Sequence, residues 1–127
     1  MQDKFNEWLD NLIESSPLPH NFMALNFNIY DIEEDTFDVQ LIASAIYDEN
    51  DDDWACEEIY SSQEDCFLIA KSKEIADQEL ALEHTIELVA NYLETGTYAN
   101  ILKSGIAVCA GFVDGDIDCI WNSDDEE

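Results

Sequence analysis

The sequence predicts an α+β fold, in which a mainly antiparallel sheet, a meander plus a C-terminal hairpin, packs against an N-terminal helix and a long central helix. Three observations predict it. Apolar residues recur at helical spacing in 3–15 and 74–95, and they alternate with polar residues at a period of two in 22–31 and 36–47. The helical and strand-like stretches are also grouped rather than alternating one for one, which separates this class from parallel α/β chains.

In residues 3–15 the residues Phe5, Trp8, Leu9, Leu12 and Ile13 make one apolar stripe, with Glu7, Asp10 and Glu14 on the solvent side, and Pro17 and Pro19 end the helix. From Phe22 to Asp31 the period becomes two, placing Met23, Leu25, Phe27 and Ile29 on one face and Asn26 and Asn28 on the other. A turn at Glu33-Glu34-Asp35 leads to Thr36–Tyr47, where Phe37, Val39, Leu41, Ala43 and Ala45 alternate with Asp38, Gln40 and Ser44. Hairpin pairing of these two strands is the economical arrangement. Trp54–Ser61 and Cys66–Ala70 read as further strands, although Glu57 and Glu58 interrupt the alternation.

Glu74–Thr95 reads as the longest helix, with Ile75, Leu82, Ile86, Val89 and Leu93 on its stripe and Gly96 as its C-cap. A short helix over Tyr98–Ser104 and closing strands Ile106–Val113 and Ile117–Asn122 complete one domain over residues 1–122. Residues 123–127 form an acidic tail.

The chain holds 31 Asp and Glu against four lysines and no arginine, a formal charge of -27 on 127 residues. A disordered acidic segment would be poor in apolar side chains, whereas 46% of these residues are hydrophobic and 11% aromatic, enough for a core. So large an imbalance opposes the compact state by self-repulsion and sets up a long-range field that steers cationic partners to the surface. The expected partner is a basic protein, bound one to one by a monomer. No apolar run approaches the roughly 18 residues of a membrane span, and MQDKFNEW lacks the features of a secretory signal, so a soluble cytoplasmic chain is expected.

Cys56, Cys66, Cys109 and Cys119 form no CxxC pair and have only His20 and His84 as further soft ligands, so zinc spacing is absent. Val113-Asp114-Gly115-Asp116 reads as a two-residue hairpin turn, which pairs Val113 with Asp116 and sends Cys109 and Cys119 to opposite faces as free thiols. Asp48-x-Asn50-x-Asp52 opens like a calcium loop, but Asp53 stands where glycine is needed and Ile59 where a bidentate Glu is needed. No metal or cofactor is expected. With no Gly-rich phosphate loop, no GxSxG and carboxylates too numerous for any pair to be informative, no catalytic residue is assigned. Repulsion excludes nucleic acid as a direct ligand.

Nine of the 31 acids fall between Asp48 and Asp65. Asp48, Glu49, Asp51, Asp52, Asp53, Glu57 and Glu58, together with Trp54 and Tyr60, make the candidate binding segment, in which aromatics supply contact area and carboxylates accept charge-assisted hydrogen bonds from Lys and Arg. The bland alternative is a solvated loop with Trp54 turned into the core. A second candidate surface is the row Glu79, Glu83, Glu87 and Glu94, whose like charges at i, i+4 are mutually repulsive; of these, Glu83 and Glu87 are assigned to partner binding.

The segments DENDDDWACEEIY at Asp48–Tyr60 and GFVDGDIDCIW at Gly111–Trp121, in a small arginine-free acidic α+β chain, resemble the immunity proteins that bacteria make against their own toxic nucleases in polymorphic toxin and contact-dependent growth inhibition systems. The resemblance implies steric and electrostatic blocking of a basic toxin domain, a nuclease, with Trp54 or Tyr60 filling a pocket. Two other accounts compete: an acidic nucleic-acid mimic that binds nucleic-acid-binding proteins generally, and adaptation to high salt, which would show as folding only above about 1 M salt.

Overall fold

A computed structural model describes residues 1–48, 50–113 and 115–123, Asp52 by its backbone alone. The elements are α1 (Gln2–Ser15), β1 (Ala24–Tyr30), β2 (Thr36–Ser44), a 3₁₀ turn (Asp52–Cys56), β3 (Glu58–Ser61), β4 (Phe67–Ala70), α2 (Gln78–Thr95), α3 (Ala99–Leu102), β5 (Ala107–Phe112) and β6 (Ile117–Asn122). The fold is α+β. One sheet runs β3-β2-β1-β5-β6, and β4 pairs with the opposite end of β2 from β3. Only β1 and β5 are parallel among these pairings.

One face of the sheet carries the core. Leu25, Phe27 and Ile29 of β1, Val39 and Leu41 of β2, and Val108 and Ala110 of β5 join Phe5 and Leu9 of α1 and Leu88 and Val89 of α2 in one buried cluster. Phe5 is its centre, with ring centroids 5.2 Å from Phe67, 6.0 Å from Phe27 and 6.5 Å from Tyr92. Fully burying a side chain of this size stabilises by about 1.5–3 kcal/mol.

The long helix begins later than its periodicity suggests. Asp77 caps it, accepting a hydrogen bond from Leu80 N at 2.9 Å, and Ile75 is buried just ahead of the first turn. Its inward face is Ala81, Thr85, Leu88, Val89, Tyr92 and Leu93, so the expected stripe is rotated and Leu82 and Ile86 are only half-buried. Ala81 and Thr85 are fully buried, and Thr85 satisfies its hydroxyl by donating to Ala81 O at 2.8 Å. Gly96 does cap the helix, but without a left-handed φ; a Cβ there would meet the Tyr92 ring and carbonyl at 2.6 Å. Buried Tyr92 donates from its hydroxyl to Asp10 Oδ1 at 2.6 Å and accepts from Tyr98 N at 3.1 Å, tying α2, α1 and the start of α3 together. Tyr92→Phe is expected to cost about 1–3 kcal/mol, read as a lower urea midpoint, because it strands the polar groups around that hydroxyl. An unchanged midpoint would show the bonds to be dispensable.

Some expectations fail in the strands. Trp54–Cys56 belongs to the 3₁₀ turn, not to a strand, and the second strand ends at Ser44. The closing hairpin also departs from the two-residue register. Gly115 N donates to Phe112 O at 3.0 Å, Gly111 pairs with Ile117, and Cys109 stands directly opposite Cys119 on the same face. The turn is wider than two residues, which shifts the register by one; a bulge then inserts Ile120 and restores Val108 opposite Trp121. The four cysteines stand as thiols, Cys109 buried and Cys119 exposed. The expected Asp114 turn position and the tail residues 124–127 lie outside the described residues. Among the described residues, no helix is long and apolar enough to cross a membrane.

Candidate interaction surface

With the helices on one face, the other face of the sheet is left for polar side chains and a loop. At one end, Trp54 closes over Ala24, Ala107 and Cys109, and Tyr47 meets its ring edge-on at 5.3 Å. Trp54 is 3% exposed. Ser44 ties down the loop behind it: its Oγ accepts from Ile46 N at 3.2 Å and lies 2.9 Å from Trp54 O and 3.0 Å from Glu57 O. Burial, then the neighbouring Cys119 and Cys109, pushes the Tyr47 hydroxyl up to about 12.

The expected role of Trp54 as a side chain inserted into a partner is therefore corrected. It is the loop's anchor, because the sheet beneath it presents Ala24, Ala107 and Cys109, small enough to leave a seat for an indole. The anchor holds an acidic rim outward. Asp48, Asp51, Asp53, Glu57 and Glu58 are exposed. Asp48 also accepts from Asn50 N at 2.9 Å and Asp51 from Asp53 N at 3.0 Å, so these two carboxylates shape the turns they sit on. Glu49 lies outside the described residues, as does the side chain of Asp52. Tyr60 is half-buried against the helix-side core and donates to Ser16 O at 2.8 Å, its hydroxyl raised by burial and by Asp65. Glu83 and Glu87 are exposed on α2, across the sheet from the loop, so one flat contact does not reach both groups.

Periodicity did not single out Ile46 and Ile59, 50% and 44% exposed, which flank the acidic loop in the chain and offer the apolar contact that buried Trp54 does not. A larger feature lies at the far end of the same face. There Leu68, Asp38 and Tyr30 stand side by side across β4, β2 and β1. They line a groove of about 520 Å³ together with Ile32, Glu33, Gln40, Gln63, Glu64 and Cys66. Beside it, Glu34, Asp35 and Thr36 extend the same acidic lining.

The groove floor is preorganised. Asn26 donates to Asn28, Asn28 to Gln40 at 3.3 Å, Tyr30 to Gln40 at 3.0 Å, and Gln40 to Gln63 O at 3.1 Å. The Cys66 thiol is raised by burial and by Asp38, Asp65 and Glu64, while Tyr30 is raised by burial and by Glu58 and Cys66. Acidic charge thus reaches the groove from β2 at Asp38 and from the adjoining loops at Glu33 and Glu64. Lys71 meets Asp31 at 2.8 Å, which holds that carboxyl below its ordinary range. Among the described residues, no group of three or more His, Cys, Asp or Glu is placed to hold a metal ion. No protein-family model, curated protein or solved structure matches the chain.

Proposed function

We propose that this chain is an immunity-type inhibitor that binds a basic toxin domain, a nuclease, and neutralises it by covering its active or substrate-binding site with carboxylates. The observation that carries the reading is charge left uncompensated by the fold. Against 31 acidic residues, the described residues contain one ion pair, Lys71 with Asp31. A fold stabilised by its own salt bridges would place its lysines among its acids; here acids stand exposed on α1, on α2 and on the loop after β2. Such a surface matches the Lys and Arg with which a nuclease holds phosphates, and steering by opposite charge accelerates encounter. Blocking needs no bond-making step from the inhibitor.

The loop at Asp48–Glu58 supplies one testable part of this surface. The triple change Asp51→Lys, Asp52→Lys and Asp53→Lys is expected to weaken toxin binding at least tenfold while far-UV circular dichroism stays native. To measure it, the chain serves as bait at low salt in lysate of its source. A basic protein held at near one-to-one yield is then assayed for nuclease activity with and without added chain. Stoichiometric loss of that activity supports the reading; a captured protein that keeps full activity rejects inhibition. Simultaneous release of many unrelated nucleic-acid-binding proteins would favour mimicry instead.

A further inference from the structure

We infer that the groove over Leu68, Asp38 and Tyr30 is the seat for one apolar side chain of the basic partner, flanked in its own chain by lysine or arginine. This deepens the inhibitor reading and rests on it for the identity of the partner. Among the large apolar residues that are exposed, Ile32 at 75% and Leu68 at 57% are the two most open, and both line this one groove. Their coincidence is the first observation. Apolar side chains set inside a polar rim are how a binding centre is excluded from water.

Charge complementarity decides what covers it. Glu33, Asp38 and Glu64 line the groove, with Glu34 and Asp35 beside it. Lys71, the lysine next to this end of the sheet, is already held by Asp31 and by Glu33 O, each at 2.8 Å, and stands over the Phe37 ring. An incoming apolar side chain without adjacent cations would leave these carboxylates to be desolvated unpaired, which is unfavourable. One with cations on either side pairs them as it buries Ile32 and Leu68. The floor needs no rearrangement, since Gln40 is fixed from three sides by Asn28, Tyr30 and Gln63 O.

The test uses the full chain and two synthetic probes of equal charge, a capped Lys-Lys-Leu-Lys-Lys peptide and a capped Lys-Lys-Ser-Lys-Lys peptide, followed by amide chemical shifts at moderate salt. The leucine peptide is expected to bind at least tenfold more tightly, with saturable shifts concentrated at Tyr30, Ile32, Gln40 and Leu68. Leu68→Ser should remove most of that preference, Asp38→Asn should weaken both peptides alike, and the Asp51, Asp52 and Asp53 reversals should leave the preference intact. Equal binding of the two peptides, or shifts spread evenly over all acidic surfaces, overturns the groove as a docking seat. The two ideas fail separately. A captured toxin released by the loop reversals and unaffected by Leu68→Ser removes the groove and keeps the inhibitor. Seating of the leucine peptide with no inhibited basic partner keeps the groove and removes the inhibitor.

Discussion

Trp54→Ala is expected to destabilise the chain by about 3–5 kcal/mol, a large share of the roughly 5–15 kcal/mol that separates folded from unfolded states of a typical domain. The indole is 3% exposed and fills a site lined by Ala24, Ala107, Cys109 and the Tyr47 ring. None of those small side chains can swing in to fill the space, so both the lost transfer energy and the cavity are felt. Self-repulsion adds to the effect, since the loop that Trp54 pins carries Asp48, Asp51 and Asp53 on its outer side. Urea unfolding should show the lower midpoint, and amide hydrogen exchange should show loss of protection from Tyr47 to Glu57 ahead of the rest of the sheet. Trp54→Phe should recover part of the loss. A change below about 1 kcal/mol, with exchange unaltered, would mean that the loop is held by Ser44 and its turns alone.

High pH is expected to unfold the protein cooperatively, because all five tyrosines are held above their ordinary range. Burial is the leading cause for Tyr30, Tyr47, Tyr60 and Tyr92, whereas Tyr98 is raised first by donating to Glu14. Tyrosine is neutral when protonated, so a folded pKa above 10.0 means that the unfolded chain gives up its proton first. The stabilisation is fully present below pH 10 and is lost as pH rises through the folded values, with the window marked by Tyr47 at about 12. Tyr92 resists most, being fully buried with its hydroxyl on Asp10. Absorbance at 295 nm against pH should therefore lag an ordinary tyrosine titration and then rise steeply as circular dichroism is lost. Five independent titrations near pH 10 on an intact fold would contradict this. Asp31 acts in the opposite direction: its carboxyl is lowered by Lys71, so its share of stability is present above pH 3.8 and lost as pH falls through the folded value.

Much of the architecture was legible because it depends on local periodicity. The β1 and β2 faces and the first helix follow directly from apolar residues two, three and four apart. The late start of α2 was not, since Ile75 fits the helical stripe and only the Asp77 cap excludes it. Nor was the C-terminal register, where an extra residue changes which cysteines share a face.

The site divides in the same way. Density of charge in the Asp48–Asp65 stretch is a property of the sequence alone, and so is the poverty of catalytic and phosphate-binding motifs. Whether an aromatic among those acids faces solvent or core depends on what lies under it, and Trp54 faces inward because β1 and β5 set Ala24, Ala107 and Cys109 beneath it. Ile32 and Leu68, 36 positions apart in the chain, belong to one groove only because Asp38 pairs with Tyr30 on one side and Leu68 on the other. Composition and short-range spacing are carried by covalent order, so the sequence determined a strongly acidic α+β chain with a core of its own. Strand order and long-range register come from burying one common core, so the tertiary structure alone decided which acids and apolar side chains share a face.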